Sequence, residues 1–173
     1  MVTKTNNLKK IRIGKVTVNV GVGEGGERLR KAEKVVEMLT TQKPVQTMSK
    51  GTNRDLGLRK GMPIGCKVTL RDQKAIDFFK KALWVRDNKL PAWSFDEEGT
   101  FSFGISEHTD FEGLRYDPEI GIFGMDINVA LERIGYRVKR RKLRPKKIPL
   151  RHRISADDAI NFVKSEFNVE VIE

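Results

Sequence analysis

The chain has 173 residues, 38 % of them hydrophobic, and its 34 Lys plus Arg against 23 Asp plus Glu leave a formal charge of +11 and a pI near 9.9. That length holds one compact domain, with or without an extended tail, and the charge imbalance costs self-repulsion that a polyanion relieves, nucleic acid ahead of an anionic membrane surface. No apolar run approaches the roughly 20 residues of a membrane span, the first ten residues lack a signal-peptide core, and the single cysteine, Cys66, fits a reducing cytoplasm.

Residues 1–10 are polar and are expected as a flexible N-terminal segment. Ile11 to Val20 alternates, with Ile11, Ile13, Val16, Val18 and Val20 apolar and Arg12, Lys15, Thr17 and Asn19 polar. That is the period of a half-buried strand, and the slip at Gly14–Lys15 marks a bulge. From Glu27 the period lengthens, and Leu29, Ala32, Val35, Val36 and Leu39 share one helical face. Pro44 to Met48 is a short strand, followed by a glycine-punctuated basic loop from Ser49 to Gly61 and a second strand from Ile64 to Leu70. Asp72 has the chemistry of an N-cap for a helix carrying Ala75, Ile76, Phe79 and Leu83. Residues 86–99 read as loop, Thr100 to Ile105 and Met125 to Leu131 as strands. Ser155 caps a last helix with Ala156, Ala159, Ile160, Val163 and Phe167 on one face; Asn168 ends it, and Val169 to Ile172 offers an edge strand. Strands outnumber helices and several are close in sequence. An α+β layer with helices on one face of a mostly antiparallel sheet fits better than a doubly wound fold.

The charge excess is local. Arg137 to Arg153 contains ten cations (Arg137, Lys139, Arg140, Arg141, Lys142, Arg144, Lys146, Lys147, Arg151 and Arg153) and no acid. Subtracting those ten from +11 leaves about +1 for the rest of the chain. Pro145 and Pro149 exclude a long helix there and bias the preceding residues towards extended backbone. A stiffened all-basic strip suits a phosphate backbone, each contact releasing counterions, although a solvated linker has the same composition.

Chemistry-bearing motifs are few. Gly21, Gly23 and Gly26 have dinucleotide-fingerprint spacing between a strand and a helix. The next strand, however, offers no acid for a ribose, and Glu24 sets a carboxylate where a pyrophosphate would lie. A tight turn needing positive φ is the better account. Cys66 belongs to a buried strand, and Glu107, His108, Asp110 and Glu112 lack a metal-binding spacing, so neither a nucleophile nor a metal is expected. The loop Ser49–Gly61 mixes Lys50, Arg54, Arg59 and Lys60 with three glycines and suits close approach to folded RNA.

The stretches KVTVNVGVGE, TTQKPVQTMSKGT, LRKGMPIGCKVTLR, SFDEEGTFSFGISEH and GIFGMDINV, in this order between Ile11 and Val129, resemble consecutive motifs of the large-subunit ribosomal protein five family, the universal 5S-rRNA-binding family. The basic strip and HRISADDAINFV are similar to the C-terminal region of its archaeal and eukaryotic branch. The resemblance implies a curved, mostly antiparallel sheet with helices on one face and RNA on the other. It implies a non-enzymatic structural protein of the cytoplasmic ribosome, without a cofactor. It divides the chain into the N-terminal segment, a 5S-rRNA-binding domain over 11–136, and the strip and last helix over 137–173 on the same domain.

Carried over by motif, the 5S-rRNA-binding residues are Lys15, Asn19, Gln42, Thr69 and Glu107. The basic loop, with Lys50, Thr52, Arg54, Arg59 and Lys60, would approach the P-site tRNA, and the ten strip cations would meet the backbone of the large-subunit rRNA. The middle of the loop, GTNRDLGL, departs from the Lys-rich form of bacterial members. Implied protein neighbours are another 5S-binding ribosomal protein and a small-subunit head protein across an intersubunit bridge, with no membrane. From charge alone, a free-standing RNA chaperone or architectural nucleic-acid binder remains the alternative, and a small nucleotide-dependent enzyme comes third.

Overall fold

Ile11–Gly21 (β1) is the strand its alternation predicts, with Val16, Val18 and Val20 buried and Lys15, Thr17 and Asn19 on the other side. The computed structural model describes residues 7–114 and 116–172; of the expected N-terminal segment, residues 1–6 lie outside that description, and Asn7–Lys9 form one 3-10 turn. The predicted bulge is present between Ile13 and Lys15. It falls on Gly14, where a Cβ would run into the Glu132 side chain, so a larger residue there would have to push that carboxylate aside.

The chain then turns on Gly23 and Gly26, at φ of 82° and 94°, values at which an L side chain is strained. It enters Glu27–Thr40 (α1), whose Leu29, Ala32, Val35 and Val36 are buried. Val45–Met48 (β2) and Pro63–Leu70 (β3) follow, then Asp72–Val85 (α2). Asp72 is the first helical residue, not the cap. Arg71 holds the N-cap position in extended geometry, without a side-chain bond, so the helix starts one residue earlier than a cap at Asp72 would have it. Asp72 makes the turn at a φ of 54°, a conformation its short polar side chain tolerates.

The interval expected as loop contains a short strand, Lys89–Pro91 (β4), and a 3-10 turn at Ala92–Ser94. Three residues are too few to show a period, and the pairing partner of β4 lies at the far end of the chain. Thr100–Ile105 (β5) and Met125–Arg133 (β6) come next, β6 outrunning its predicted end at Leu131. The basic strip begins with a helical turn, Arg137–Arg140 (α3), rather than extended chain, because Pro145 restricts only the residue before it. Ala156–Phe167 (α4) has the Ser155 cap as a full capping box with Asp158 and ends on left-handed Asn168. Glu170–Ile172 (β7) pairs in parallel with β4.

Five strands form one antiparallel sheet in the order β2-β3-β1-β6-β5, and β4 and β7 make a separate two-stranded piece. The α+β layer expected from sequence is therefore the fold. Alternate residues of β1, β3, β5 and β6 bury Val18, Val68, Phe103 and Ile127 with the apolar faces of α1 and α2 in one cluster. Phe79 of α2 lies 5.7 Å from Phe101 and 4.9 Å from Phe167 of α4, so the last helix packs into the same core. The consequence for function is geometric. Helices occupy one face of the sheet and leave the polar residues of the other accessible.

Candidate nucleic-acid interface

Strand alternation places Lys15, Thr17 and Asn19 of β1, Lys67 and Thr69 of β3, Asp126 and Asn128 of β6, and Thr100 and Ser102 of β5 opposite the core residues. Register turns these positions into rows. Thr69, Thr17, Asn128 and Ser102 face one another across β3-β1-β6-β5, and Lys67, Asn19 and Asp126 form the next row. Lys15 and Thr100 flank Ala130 in a third. Directly opposed residues stand about 5 Å apart at Cβ, so neighbouring rows present donors and acceptors on a nearly fixed grid. All are exposed or half-exposed. Among the described residues none of these side chains is engaged in an intramolecular hydrogen bond or ion pair. A shallow depression of about 300 Å³ lies among Lys15, Thr17, Thr100, Asn128 and Ala130. Its lining sets an ammonium, hydroxyls that donate and accept, and an amide among the aliphatic carbons of the same side chains and Ala130.

Of the residues carried over from sequence, Lys15, Asn19 and Thr69 share this face. The bulge at Gly14 precedes Lys15 and so leaves its pleat in phase with Asn19. Gln42 and Glu107 lie on connections, outside the strand rows. Gln42 follows α1, its carbonyl accepting from the Thr40 hydroxyl at 3.3 Å. Glu107 follows β5 and accepts from the Thr109 hydroxyl at 3.2 Å. Thr17, Lys67, Thr100, Ser102, Asp126 and Asn128 did not figure among the sequence candidates, yet the i, i+2 alternation of the same strands marks them.

The loop between β2 and β3 is braced. Ser49 donates its amide to the Met62 carbonyl at 2.8 Å and accepts from Gly61 at 2.9 Å, and Asn53 pairs with Leu58 nearer the tip. The Thr52 hydroxyl accepts from the Lys60 amide at 3.3 Å, which makes it part of the brace. Lys50, Arg54, Arg59 and Lys60 are exposed and, among the described residues, have no carboxylate partner.

The strip is folded against the end of the sheet. Glu132 of β6, lying over Gly14, holds Arg140 at 2.7 Å. Glu98 reaches Lys139 at 3.3 Å and Arg153 at 3.9 Å, clamping both ends of the strip. Arg133, with a side chain only 10 % exposed, meets Asp158 of the capping box at 2.8 Å and donates to the Arg153 carbonyl at 3.1 Å. The Tyr136 hydroxyl donates to the His152 carbonyl at 3.2 Å and accepts from the Ile154 amide at 3.1 Å. Burial pushes its pKa up, so the proton it donates stays in place. Lys139, Arg140 and Arg153 thus hold the strip down. Arg137, Arg141, Lys142, Arg144, Lys146, Lys147 and Arg151 have no carboxylate partner among the described residues and are the free charge.

Groups that resembled catalytic machinery have structural occupations. Cys66 is fully buried, and burial, aided by the charge of Glu33, raises its thiol to about 11. His108 is buried, and its Nδ1 accepts from the Phe123 amide at 3.3 Å while its own amide donates to the Phe123 carbonyl at 3.0 Å. Burial holds its pKa below the ordinary value, with the nearby Glu107 opposing the shift. Glu24 is tied to Arg28 at 3.3 Å, at the start of the helix where a nucleotide phosphate would sit.

Comparison with known proteins decides the family. The family model "Ribosomal protein L5" matches residues 6–59, and the model of the same family's C-terminus matches residues 63–162. The chain belongs to the ribosomal protein L5 family. "Large ribosomal subunit protein uL5" of Thermoplasma volcanium is 52 % identical over 96 % of this chain and 99 % of its own length. The protein of the same name from Sulfurisphaera tokodaii is 53 % identical over 97 % of this chain and 96 % of its own. That of Methanosphaera stadtmanae is 49 % identical over 96 % and 99 %. The resemblance read from the motifs is thereby established, and the L5 family is structural rather than enzymatic.

Proposed function

We propose that this L5-family chain is a structural constituent of the large subunit of the cytoplasmic ribosome, and that it holds 5S ribosomal RNA on the open face of its sheet. One observation carries the proposal: an uncovered sheet face bearing rows of polar side chains, none engaged within the chain among the described residues. A face of that kind has desolvation to lose and nothing to gain unless a polar partner completes its hydrogen bonds. Folded RNA supplies complementary groups, with 2′-hydroxyls and phosphate oxygens for Lys15, Asn19, Thr17 and Thr69. Gln42 and Glu107 extend the same contact from the adjoining connections. The strip fastens the protein to large-subunit rRNA in the central protuberance. The braced loop, with Lys50, Arg54, Arg59 and Lys60, reaches towards the P-site tRNA. A second 5S-binding ribosomal protein and a small-subunit head protein are its protein neighbours.

Binding of 5S rRNA to the purified full chain tests the core of this reading. Asn19→Ala and Gln42→Ala are expected to weaken it by roughly tenfold each, about the worth of a buried hydrogen-bonding group, without altering the salt dependence. Unchanged affinity in Asn19→Ala would count against the sheet face as the interface, and in Gln42→Ala against the adjoining connection.

A further inference from the structure

The strip contains a groove that phosphate contact alone does not explain. It is an open groove of about 920 Å³ between α3 and the turn that follows. Its lining combines two chemistries. Gly135, Val138 and Leu143 are apolar, and Leu143 is 79 % exposed, standing in water among cations. Arg137, Arg141, Lys142 and Arg144 supply only positive charge; among the described residues no acid lines the groove and none of the four has a carboxylate partner.

The walls are held in place. The Lys146 amide donates to the Val138 carbonyl at 3.2 Å and closes the loop at its base. Arg141 Nε donates to the Arg144 carbonyl at 2.9 Å, fixing the plane of its guanidinium. Arg144 itself has a φ of 49° directly before Pro145, where extended backbone is the norm. Strain of this kind accumulates where a specific local shape is required.

Phosphates are satisfied by cations and need no leucine. An unstacked base needs what this groove adds, an apolar surface and a fixed guanidinium plane beside it. We propose that the groove receives one extruded nucleotide of the bound RNA, its base against Leu143 and Val138 and its flanking phosphates on Arg137, Arg141, Lys142 and Arg144. This deepens the RNA-binding reading above and rests on it.

The test uses the full chain and three hairpin RNAs that differ at one position, carrying an extruded adenosine, an abasic ribose, or no extra residue. The wild type should bind the extruded adenosine about tenfold more tightly than the abasic hairpin, a typical stacking contribution. Leu143→Ser, at an exposed site that the fold does not need, should abolish that preference while leaving the paired hairpin and its salt slope unchanged. Equal binding of adenosine and abasic RNAs by the wild type, or a preference that survives Leu143→Ser, overturns the base slot and leaves the broader reading standing. Absence of salt-dependent binding to all three hairpins overturns both. Displacement of the hairpins by polyglutamate at lower concentration overturns RNA as the occupant in favour of an acidic protein segment.

Discussion

The open face of the sheet and the C-terminal strip are both polar and accessible, but they are built on opposite principles. On the sheet face Lys15 and Lys67 are accompanied by Asp126, and the remaining groups are hydroxyls and amides locked to a backbone ladder. The strip concentrates ten cations without an acid, and among the described residues only Lys139, Arg140 and Arg153 of them are tied to carboxylates of the body. Fixed donors and acceptors discriminate between partners through geometry, whereas clustered charge attracts any polyanion and is screened by salt. On the proposed reading, net charge reports the attachment surface, while near-neutral positions carry the capacity for choice.

The two regions should separate under mutation. The largest effect belongs to the strip. Replacing Arg141, Lys142, Arg144, Lys146 and Lys147 together by Gln should reduce affinity for ribosomal RNA by about two orders of magnitude and make the plot of log K against log salt shallower by about four. Filter binding across a salt series reads both, and an unchanged slope would mean that these cations do not meet phosphate. Next comes the joint between the regions. Arg133→Ala removes the ion pair to Asp158, whose carboxylate keeps only its bond from the Ser155 amide, and leaves the Arg153 carbonyl without its donor. With Asp158 partly in water, the loss of stability should be about 2 kcal/mol in urea denaturation. Arg133→Lys should recover only part of that loss, because an ammonium cannot reproduce the two-armed contact; full recovery would reduce the joint to simple charge.

The smallest effect lies at the rim of the sheet. His108 has a native pKa below its ordinary value of about 6.5, so the unfolded chain takes up the proton first as pH falls. Its contribution to stability is complete above about pH 6.5 and is lost as pH drops through the lower native value. Thermal unfolding at constant ionic strength should show His108→Gln with a smaller drop in Tm between pH 7 and pH 5 than the wild type. An equal drop would assign the acid sensitivity to other groups.

Several features were legible in advance because their causes are local. The alternation of β1 disclosed its bulge and its buried valines, while the shared side of Lys15 and Asn19 depended on the pleat staying regular beyond the bulge, as it does. The Ser155 capping box and the left-handed Asn168 lay in the choice of residues at the ends of α4. The α+β layer followed from element order. Thr17 and Asn128 were legible by the same rule, but significance attaches to them only once register sets them side by side. The pairing of β4 with β7 and the helical turn at the head of the strip escaped, the first because three residues show no period, the second because proline's restriction reaches back only one residue.

Residue order alone specified where most strands and helices form, that one strip holds the excess charge, and, through the motifs, the family. Those depend on side-chain period, propensity and composition, all properties of neighbours along the chain. Which cations are free was left to tertiary folding. Glu98 meets Lys139 and Arg153, and Glu132 meets Arg140, because the end of β6 and the turn before β5 come together against the strip. Pairings such as Lys139 with Glu98 join residues distant in sequence, and no local pattern encodes them.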